Sequence, residues 1–359
     1  MLGTRSLHIA VGLASLALAF VWAIIRSGFT MTPVPDDLRD AALAWPERLD
    51  SWMTAFYTDS PLYILAYRGL GMDSAIDVVR LGFWTSLIAL IVVTSWMVAT
   101  IGTDQRWRAG RLLLLSPVVA VLYITIGSYD PFTVLAWGAA LWTWKSGRRV
   151  VAVLGGVLLG LQHFEQTIMG ALALLLTWYA VGSQLPPSLK RISPIWLVPG
   201  IALGKLGLIL LLVSQGQSAL GRTGWLEQYL TEWTKVTVAT LPYLIWSLFA
   251  GLWIIVVLVL LRTENLRARL LITAGIAIGV FATLISGDRP RVFVLVLLPT
   301  LCLLIIAYLR RDHSSPVETT AVETIAWLAP PIMLTGTVAV NANIYDDSYV
   351  AFFWITGLG

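Results

Sequence analysis

The sequence predicts an all-α protein that folds as a polytopic transmembrane helical bundle. Hydrophobic residues make up 58% of the 359 residues and charged residues only 12%, well below the charged share of ordinary soluble domains. Apolar runs long enough to cross a bilayer recur from Leu7 to the C-terminus. The chain also holds 17 Trp and 11 Tyr, residue types that gather at membrane–water interfaces. We therefore expect residues 1–359 to form one transmembrane domain.

Hydropathy divides this domain into about eleven spans, several of them short enough to need a tilt or a locally thin bilayer. The first apolar run is too long for a signal-peptide core, so we interpret it as a retained helix. Cys302, the single cysteine, lies within an apolar run, which excludes an intramolecular disulfide and a cysteine metal site. The expected spans are 7–25, 81–101, 111–127, 131–144, 150–161, 167–182, 194–214, 241–261, 270–286, 291–309 and 324–340.

Basic residues set the expected orientation. If the N-terminus is cytoplasmic, every inside loop carries Lys or Arg, as the positive-inside rule requires. We therefore expect a multi-pass plasma (inner) membrane protein with two long extracytoplasmic loops, residues 26–80 and 215–240. The inside loops take 14 of the 24 basic residues: Arg5, Arg106, Arg108, Arg111, Lys145, Arg148, Arg149, Lys190, Arg191, Arg262, Arg267, Arg269, Arg310 and Arg311.

The first long loop contains an amphipathic pattern preceded by an acidic pair. Asp36 and Asp37 in VPDDLRD are adjacent carboxylates near the lipid interface, which makes them candidates for general-base catalysis. Asp after Pro at a helix start is also typical of N-capping, so both interpretations stay open. Apolar residues then recur at three- and four-residue spacing and predict an interfacial helix on the membrane surface: Leu38, Ala41, Ala42, Trp45, Leu49, Trp52, Met53 and Phe56.

The stretch LQHFEQTI places polar groups inside an apolar region. Burying such groups in hydrocarbon is expensive, so we expect His163, Glu165 and Gln166 in a tight, recessed external turn between spans 150–161 and 167–182. The alternative is that they only satisfy one another in a buried turn.

Other polar residues fall at the same expected membrane face. Lys205 is the one charge deep in a span. We interpret it either as a functional residue or as a lysine that pairs with Glu165 or another carboxylate for packing. Asp130 precedes Pro131 and could cap the fourth span. The second loop supplies Arg222, and the turn SGDRPR supplies Asp288, Arg289 and Arg291, whose arginines could instead reach toward lipid headgroups.

Together these residues resemble a site more than scattered caps do. The guanidinium fork matches two phosphate oxygens, and a carboxylate suits deprotonation of an acceptor hydroxyl. A phosphate-bearing lipid can enter sideways from the bilayer. No His pair has ligand spacing, so the sequence indicates no cofactor and a divalent cation is not expected. Nucleic acid is not expected as a partner, because topology explains the basic residues.

This arrangement resembles the GT-C superfamily of integral membrane glycosyltransferases. The similarity lies in a first span followed by a long external loop with an acidic pair, here VPDDLRD, and an interfacial helix. The stretch LYITIGSYDPFTVLAWGAALWTWKSGRRVVAVLGGVLLGL resembles bacterial mannosyl- and arabinosyltransferase-like members, although GSYD stands where many have a GQxN-like turn. The segment DRPRVFVLVLLP is similar to a late external turn of the family.

The resemblance implies transfer of a sugar from a polyprenyl-phosphate carrier to a lipid or glycan acceptor on the extracytoplasmic face. It implies that Asp36 or Asp37 activates the acceptor. To this we add Arg289 and Arg291, then Arg222 and Lys205, as holders of the lipid phosphate. The alternatives are a polysaccharide polymerase or ligase, a transporter or flippase of lipid-linked sugars, and a non-catalytic subunit.

Overall fold

A computed structural model describes most of the chain, and every regular element in the described part is helical. The described residues are 2–28, 35–47, 58–102, 105–124, 126–217, 230–231, 234–235, 238, 241–284, 289–310 and 315–330. The helices are α1 (Leu2–Ser27), α2 (Pro35–Ala44), α3 (Pro61–Gly69), α4 (Ala75–Ile101), α5 (Arg106–Leu114), α6 (Pro117–Tyr123), α7 (Asp130–Lys145), α8 (Arg149–Val181), α9 (Pro187–Lys190), α10 (Leu197–Ser214), α11 (Leu241–Phe249), α12 (Trp253–Leu261), α13 (Leu266–Leu284), α14 (Arg289–Leu309) and α15 (Pro316–Leu328).

By length and composition, five helical segments could cross a membrane, which fits a membrane-embedded bundle, although one of them, Arg149–Gln184, is interrupted at His163. Two shorter apolar segments, Ile245–Leu261 and Val294–Leu309, accompany them. The expected count of about eleven spans is finer than this and stays a prediction. The five segments are Ser6–Ser27, Ala75–Ile101, Arg149–Gln184, Pro194–Ser214 and Leu266–Thr283.

Helix α8 is not straight, because His163 has φ −161° and ψ 79°, outside the helical region. The Thr167 hydroxyl donates to the carbonyl of Leu159 at 3.2 Å, although residues eight apart in a straight helix are separated by about 12 Å. We call the two segments α8a, before His163, and α8b, after it. The direction change predicted for residues 162–166 is therefore present, but as a one-residue break and not as a connecting loop.

Both segments of α8 pack along α7, which shows that α8b turns back. On α8a, Gly155 lies against Ala140 of α7, and on α8b Gly170 lies against Trp137. The Trp178 indole near the end of α8b donates to the carbonyl of Leu189 at 2.9 Å, in the short connection to α10.

Glycines bring α8a and α10 into close contact. A Cβ added to Gly160 would lie 2.0 Å from the Ile201 carbonyl oxygen, and one added to Gly204 would lie 2.3 Å from that of Val157. Such backbone contact is the packing that small residues at four-residue spacing allow between membrane helices. It places Lys205 beside the start of α8b.

Several helices stop within the bundle. The expected span 111–127 is interrupted between α5 and α6, where Ser116 precedes Pro117, because proline supplies no N–H to continue the helix. The Arg26 guanidinium donates to the carbonyl of Leu115 at 2.9 Å and to that of Ala326 at 2.7 Å. It therefore satisfies carbonyls at the ends of α5 and α15. The expected span 324–340 begins earlier, at Pro316, and its helix ends at Leu328, with residues 331–340 outside the described part.

The interfacial helix predicted for the first loop is shorter than expected. Helix α2 ends at Ala44, and its buried face, which includes Leu38 and Ala41, packs into a cluster with Tyr63 and Tyr67 of α3. The prediction that one helix continues through Trp45 is wrong, because residues 45–47 form a turn. Residues 48–57 lie outside the described part, including Leu49, Trp52, Met53 and Phe56 of the predicted pattern.

The end of the bundle opposite the α8 break carries paired charges from distant parts of the chain. Glu323 of α15 pairs with Arg111 and, at 2.9 Å, with Arg108 of α5. Burial opposes ionisation of Glu323, but hydrogen bonds from the two arginines hold its pKa below the usual range. Arg262 pairs with Glu318 and likewise lowers the pKa of that carboxyl. We call this the basic end.

Candidate functional site

Five charged or titratable side chains meet where α7 begins, α8 breaks and α14 begins. They are Asp130, His163, Glu165, Lys205 and Arg291, and we call them the Asp130 cluster. All five are among the predicted site residues, and they come from four different helices.

A buried ion pair forms the centre of the cluster. Arg291 Nε lies 2.9 Å from Asp130 Oδ2, with the two side chains 10% and 0% exposed. The Ser128 hydroxyl donates to the same Oδ2 at 3.2 Å. Asp130 is the first residue of α7 and Tyr129 is its N-cap, so the prediction that Asp130 caps this helix is wrong. The interpretation that Arg291 reaches toward lipid headgroups is also wrong, because its guanidinium is buried against the Asp130 carboxylate.

Tyr129 connects this pair to the break in α8. Its ring lies 5.9 Å from the His163 ring, and the Arg291 guanidinium carbon lies 5.7 Å from its centroid. The Gln162 amide donates to the Tyr129 carbonyl at 3.2 Å. These contacts fix the start of α7 against the α8 break.

Glu165 lies between Lys205 and His163. One of its oxygens is 3.4 Å from Lys205 Nζ, and the other is 3.6 Å from His163 Nδ1. The Glu165 side chain is 38% exposed and that of Lys205 is 17% exposed, so this edge of the cluster is open. The predicted pairing of Lys205 with Glu165 is confirmed.

Three helix N-termini converge on the cluster. Asp130 opens α7, Arg291 is the third residue of α14, and His163 is the last residue before α8b. A helix start carries a partial positive charge and unpaired N–H groups, and a helix end carries the opposite charge, so the end of α8a offsets the start of α8b. The starts of α7 and α14 leave this end of the bundle favourable to an anion.

An apolar groove runs along α7. It has a volume of about 240 Å³ and lies between α3, α7 and α8a, with Phe132 only two residues from Asp130. Its lining side chains are Leu62, Phe132, Leu135, Ala136, Ala139 and Leu158. The groove offers a hydrocarbon surface, and none of its lining residues belongs to the Asp130 cluster.

The remaining predicted site residues lie elsewhere or outside the described part. Asp36 and Asp37 lie in the first turn of α2, where their negative charges interact favourably with the helix dipole. The Asp36 side chain is 68% exposed and pairs with Arg39 at 2.8 Å. Gln166 is buried on α8b, one turn beyond Gln162. Arg289 opens α14, with no side-chain position described. Arg222 and Asp288 lie outside the described residues.

Two polar contributors were missed by the sequence analysis. Gln162 lies in the predicted turn and Tyr129 in the segment GSYD, but neither was predicted to be a site residue. Both lie next to predicted residues, in GSYDP and LQHFEQTI, so proximity to those motifs was the available signal.

No group of three or more His, Cys, Asp or Glu side chains in the described part of the chain has an arrangement that could hold a metal ion. Comparison of the chain with protein-family models, curated proteins and solved structures gave no match.

Proposed function

We propose that this protein is an integral membrane glycosyltransferase that moves a sugar from a polyprenyl-phosphate carrier to a lipid or glycan acceptor. The observation that carries the proposal is the meeting of Arg291, Lys205 and the N-termini of α7 and α14 at one end of an apolar bundle. That combination suits a phosphate attached to a hydrocarbon chain.

The helix ends decide the preference for an anion. Arg291 and Lys205 are each matched by a carboxylate, Asp130 and Glu165, so the four formal charges cancel. The N-termini of α7 and α14 each add about half a positive charge, whereas at the α8 break the N-terminus of α8b is offset by the C-terminus of α8a. A phosphate at the cluster would be attracted by this excess and by the Lys205 ammonium, which Glu165 only partly covers.

The groove beside Phe132 gives a lipid donor a route from the bilayer. Its lining is apolar, so we expect the carrier chain to stay in contact with hydrocarbon there while the phosphate binds at Arg291. The positive-inside rule assigns the basic end to the cytoplasm, and with it the N-terminus, and the Asp130 cluster to the extracytoplasmic face.

The chemistry forms one bond and breaks another. An acceptor hydroxyl oxygen attacks the anomeric carbon, the bond from that carbon to the phosphate oxygen breaks, and the phosphate leaves with the electron pair. The acceptor proton passes to a carboxylate, for which Asp36 and Asp37 remain our proposed bases. Arg291 and the helix N-termini would stabilise the leaving phosphate, and His163 and Glu165 would bind hydroxyls or assist proton transfer.

Transfer in reconstituted proteoliposomes tests the proposal. A panel of radiolabelled polyprenyl-phosphate sugars is supplied with native lipid extract as acceptor, using wild type, Arg291→Gln, Asp36→Asn and Asp37→Asn. Arg149→Gln is the matched control, because Arg149 stacks on Trp196 at the start of α8a, far from the break. We expect label in a new product for wild type and the control and a loss of at least tenfold in Arg291→Gln. Absence of transfer with every donor would reject the proposal.

Transport of a lipid-linked sugar is the second candidate, and the interrupted helices favour it. Breaks at His163, between α5 and α6, and between α11 and α12 resemble the discontinuous helices of transporters. Movement of a fluorescent lipid-linked sugar between leaflets, without any new product, would favour this candidate.

A further inference from the structure

Below the Asp130 cluster lies a buried layer of polar atoms between α7 and α8, from Gln162 at the end of α8a into α8b. The register of α7 against α8 gives the level of this layer. Tyr129 contacts Gln162 at one level, and Trp137 contacts Gly170 two turns further along. Thr133 lies midway between Tyr129 and Trp137 on α7. On α8b, Gln166 lies one turn before Gly170, so the helical repeat puts Thr133 and Gln166 at the same level.

Four side chains of this layer carry polar atoms with no hydrogen-bond partner among the described residues. They are Thr133 Oγ1, Trp137 Nε1, Gln162 Oε1 and Gln166 Oε1. Each residue is at least nine-tenths buried. The Gln162 amide nitrogen donates to the Tyr129 carbonyl, which holds the orientation of that side chain. Buried polar groups are normally satisfied, so four at one helix interface need an explanation.

The chemical character of these atoms selects the ligand. The two amide oxygens accept hydrogen bonds, the indole N–H donates, and the threonine hydroxyl does both. An anion would be repelled by the amide oxygens. A cation would meet the indole N–H and no net negative charge, because Arg291 neutralises Asp130 above the layer. A neutral group with several hydroxyls matches both donors and acceptors.

We propose that Thr133, Trp137, Gln162 and Gln166 form a hydroxyl-binding subsite that takes the glycosyl ring of the substrate beneath its phosphate. This proposal rests on the proposed function for the identity of the ligand. The subsite is closed in this structure, and α8b must move away from α7 for a ring to enter. The break at His163 separates α8b from α8a and is the point at which such a movement can occur without bending a continuous helix.

Binding of two lipids that differ only in the sugar tests the subsite. Affinities of purified, detergent-solubilised protein are measured for polyprenyl phosphate and for the same lipid carrying a hexose or a pentose. We expect wild type to bind at least one sugar-bearing lipid tenfold or more tightly than the sugar-free lipid. Thr133→Val and Gln166→Met should each reduce this ratio to within threefold of one, and Thr133→Ser should restore it.

Thr177→Val is the matched control. Thr177 is also on α8b, is buried and has an Oγ1 without a described partner, but it faces Gly275 of α13 and lies beyond the layer. We expect it to keep the wild-type ratio. Arg291→Gln should weaken both lipids by a similar factor, because it alters the phosphate site.

The outcomes separate this inference from the proposed function. Equal affinity of wild type for the two lipids, or equal loss in Thr133→Val and Thr177→Val, overturns the subsite and leaves the phosphate site standing. If neither lipid binds, the binding of a third ligand, a soluble methyl glycoside, is measured. If the glycoside binds and Thr133→Val abolishes its binding, the subsite stands and the lipid donor is wrong. If nothing binds, both are wrong.

Discussion

Removal of Arg291 should destabilise the protein far more than removal of an exposed arginine in a similar ion pair. Arg291 lies 2.9 Å from Asp130, whose side chain is fully buried. Breaking a buried pair leaves an uncompensated charge and costs about 3–5 kcal/mol. In the control pair Arg80 lies 3.1 Å from Asp77 but is 64% exposed, and such surface pairs contribute about 0–1 kcal/mol.

The measurement is the free energy of unfolding in mixed detergent micelles for Arg291→Gln, Arg80→Gln, Asp130→Asn and the double variant Asp130→Asn/Arg291→Gln. Since the double variant leaves no unpaired charge, its loss should be smaller than the sum of the single losses by about 1–3 kcal/mol. The reasoning is refuted if Arg291→Gln and Arg80→Gln lose the same free energy, or if the losses at Asp130 and Arg291 simply add.

Three further predictions concern other parts of the bundle. Gly204→Ala should destabilise the protein by about 1–3 kcal/mol, because the added Cβ would lie 2.3 Å from a carbonyl oxygen. The control Gly207→Ala on the same helix meets no described heavy atom within 4 Å, so in thermal unfolding it should be neutral or stabilising by up to about 1 kcal/mol. Because the pKa of Glu323 is lowered by folding, its stabilising effect is present above the unfolded carboxyl pKa of about 4.3 and disappears as pH falls through the lower folded pKa. Melting curves of wild type and Glu323→Gln should therefore differ at pH 7 and converge in acid. A difference that stays constant with pH would contradict this. Ala139→Phe should fill the groove and weaken binding of polyprenyl phosphate at least fivefold. The control is Leu172→Phe, at an exposed position on α8b. Equal effects of the two variants would exclude the groove as the lipid route.

Local pattern and composition were enough to predict the fold class and the position of the α8 break. The apolar runs determine where helices can cross a membrane, and the cost of burying His163 and Glu165 marks the place where the chain changes direction. The form of that change was not predictable, because a one-residue break and a short loop have the same hydropathy. The length of α2 was missed for a related reason: an apolar spacing that continues past Pro46 does not show that the helix does.

The sequence predicted which residues belong to the site, but not which of them pair with one another. Asp130 was weighted toward capping because Asp before Pro is common at helix starts, and its pairing with Arg291 depends on the packing of α7 against α14. The same holds for Arg111 and Glu323, whose contact joins distant segments. Pairings of this kind follow from tertiary packing, which a single sequence does not encode in any local pattern.

The binding position of the lipid phosphate tests the central claim most directly. A polyprenyl phosphate with a photoreactive group beside the phosphate is bound to reconstituted protein, irradiated and mapped by peptide mass spectrometry. We predict labelling of peptides that contain Tyr129 to Thr133, Gln162 to Gln166 and the start of α14, and loss of this labelling in Arg291→Gln. Labelling concentrated instead at the basic end, around Arg108, Arg262 and Glu323, would contradict the account.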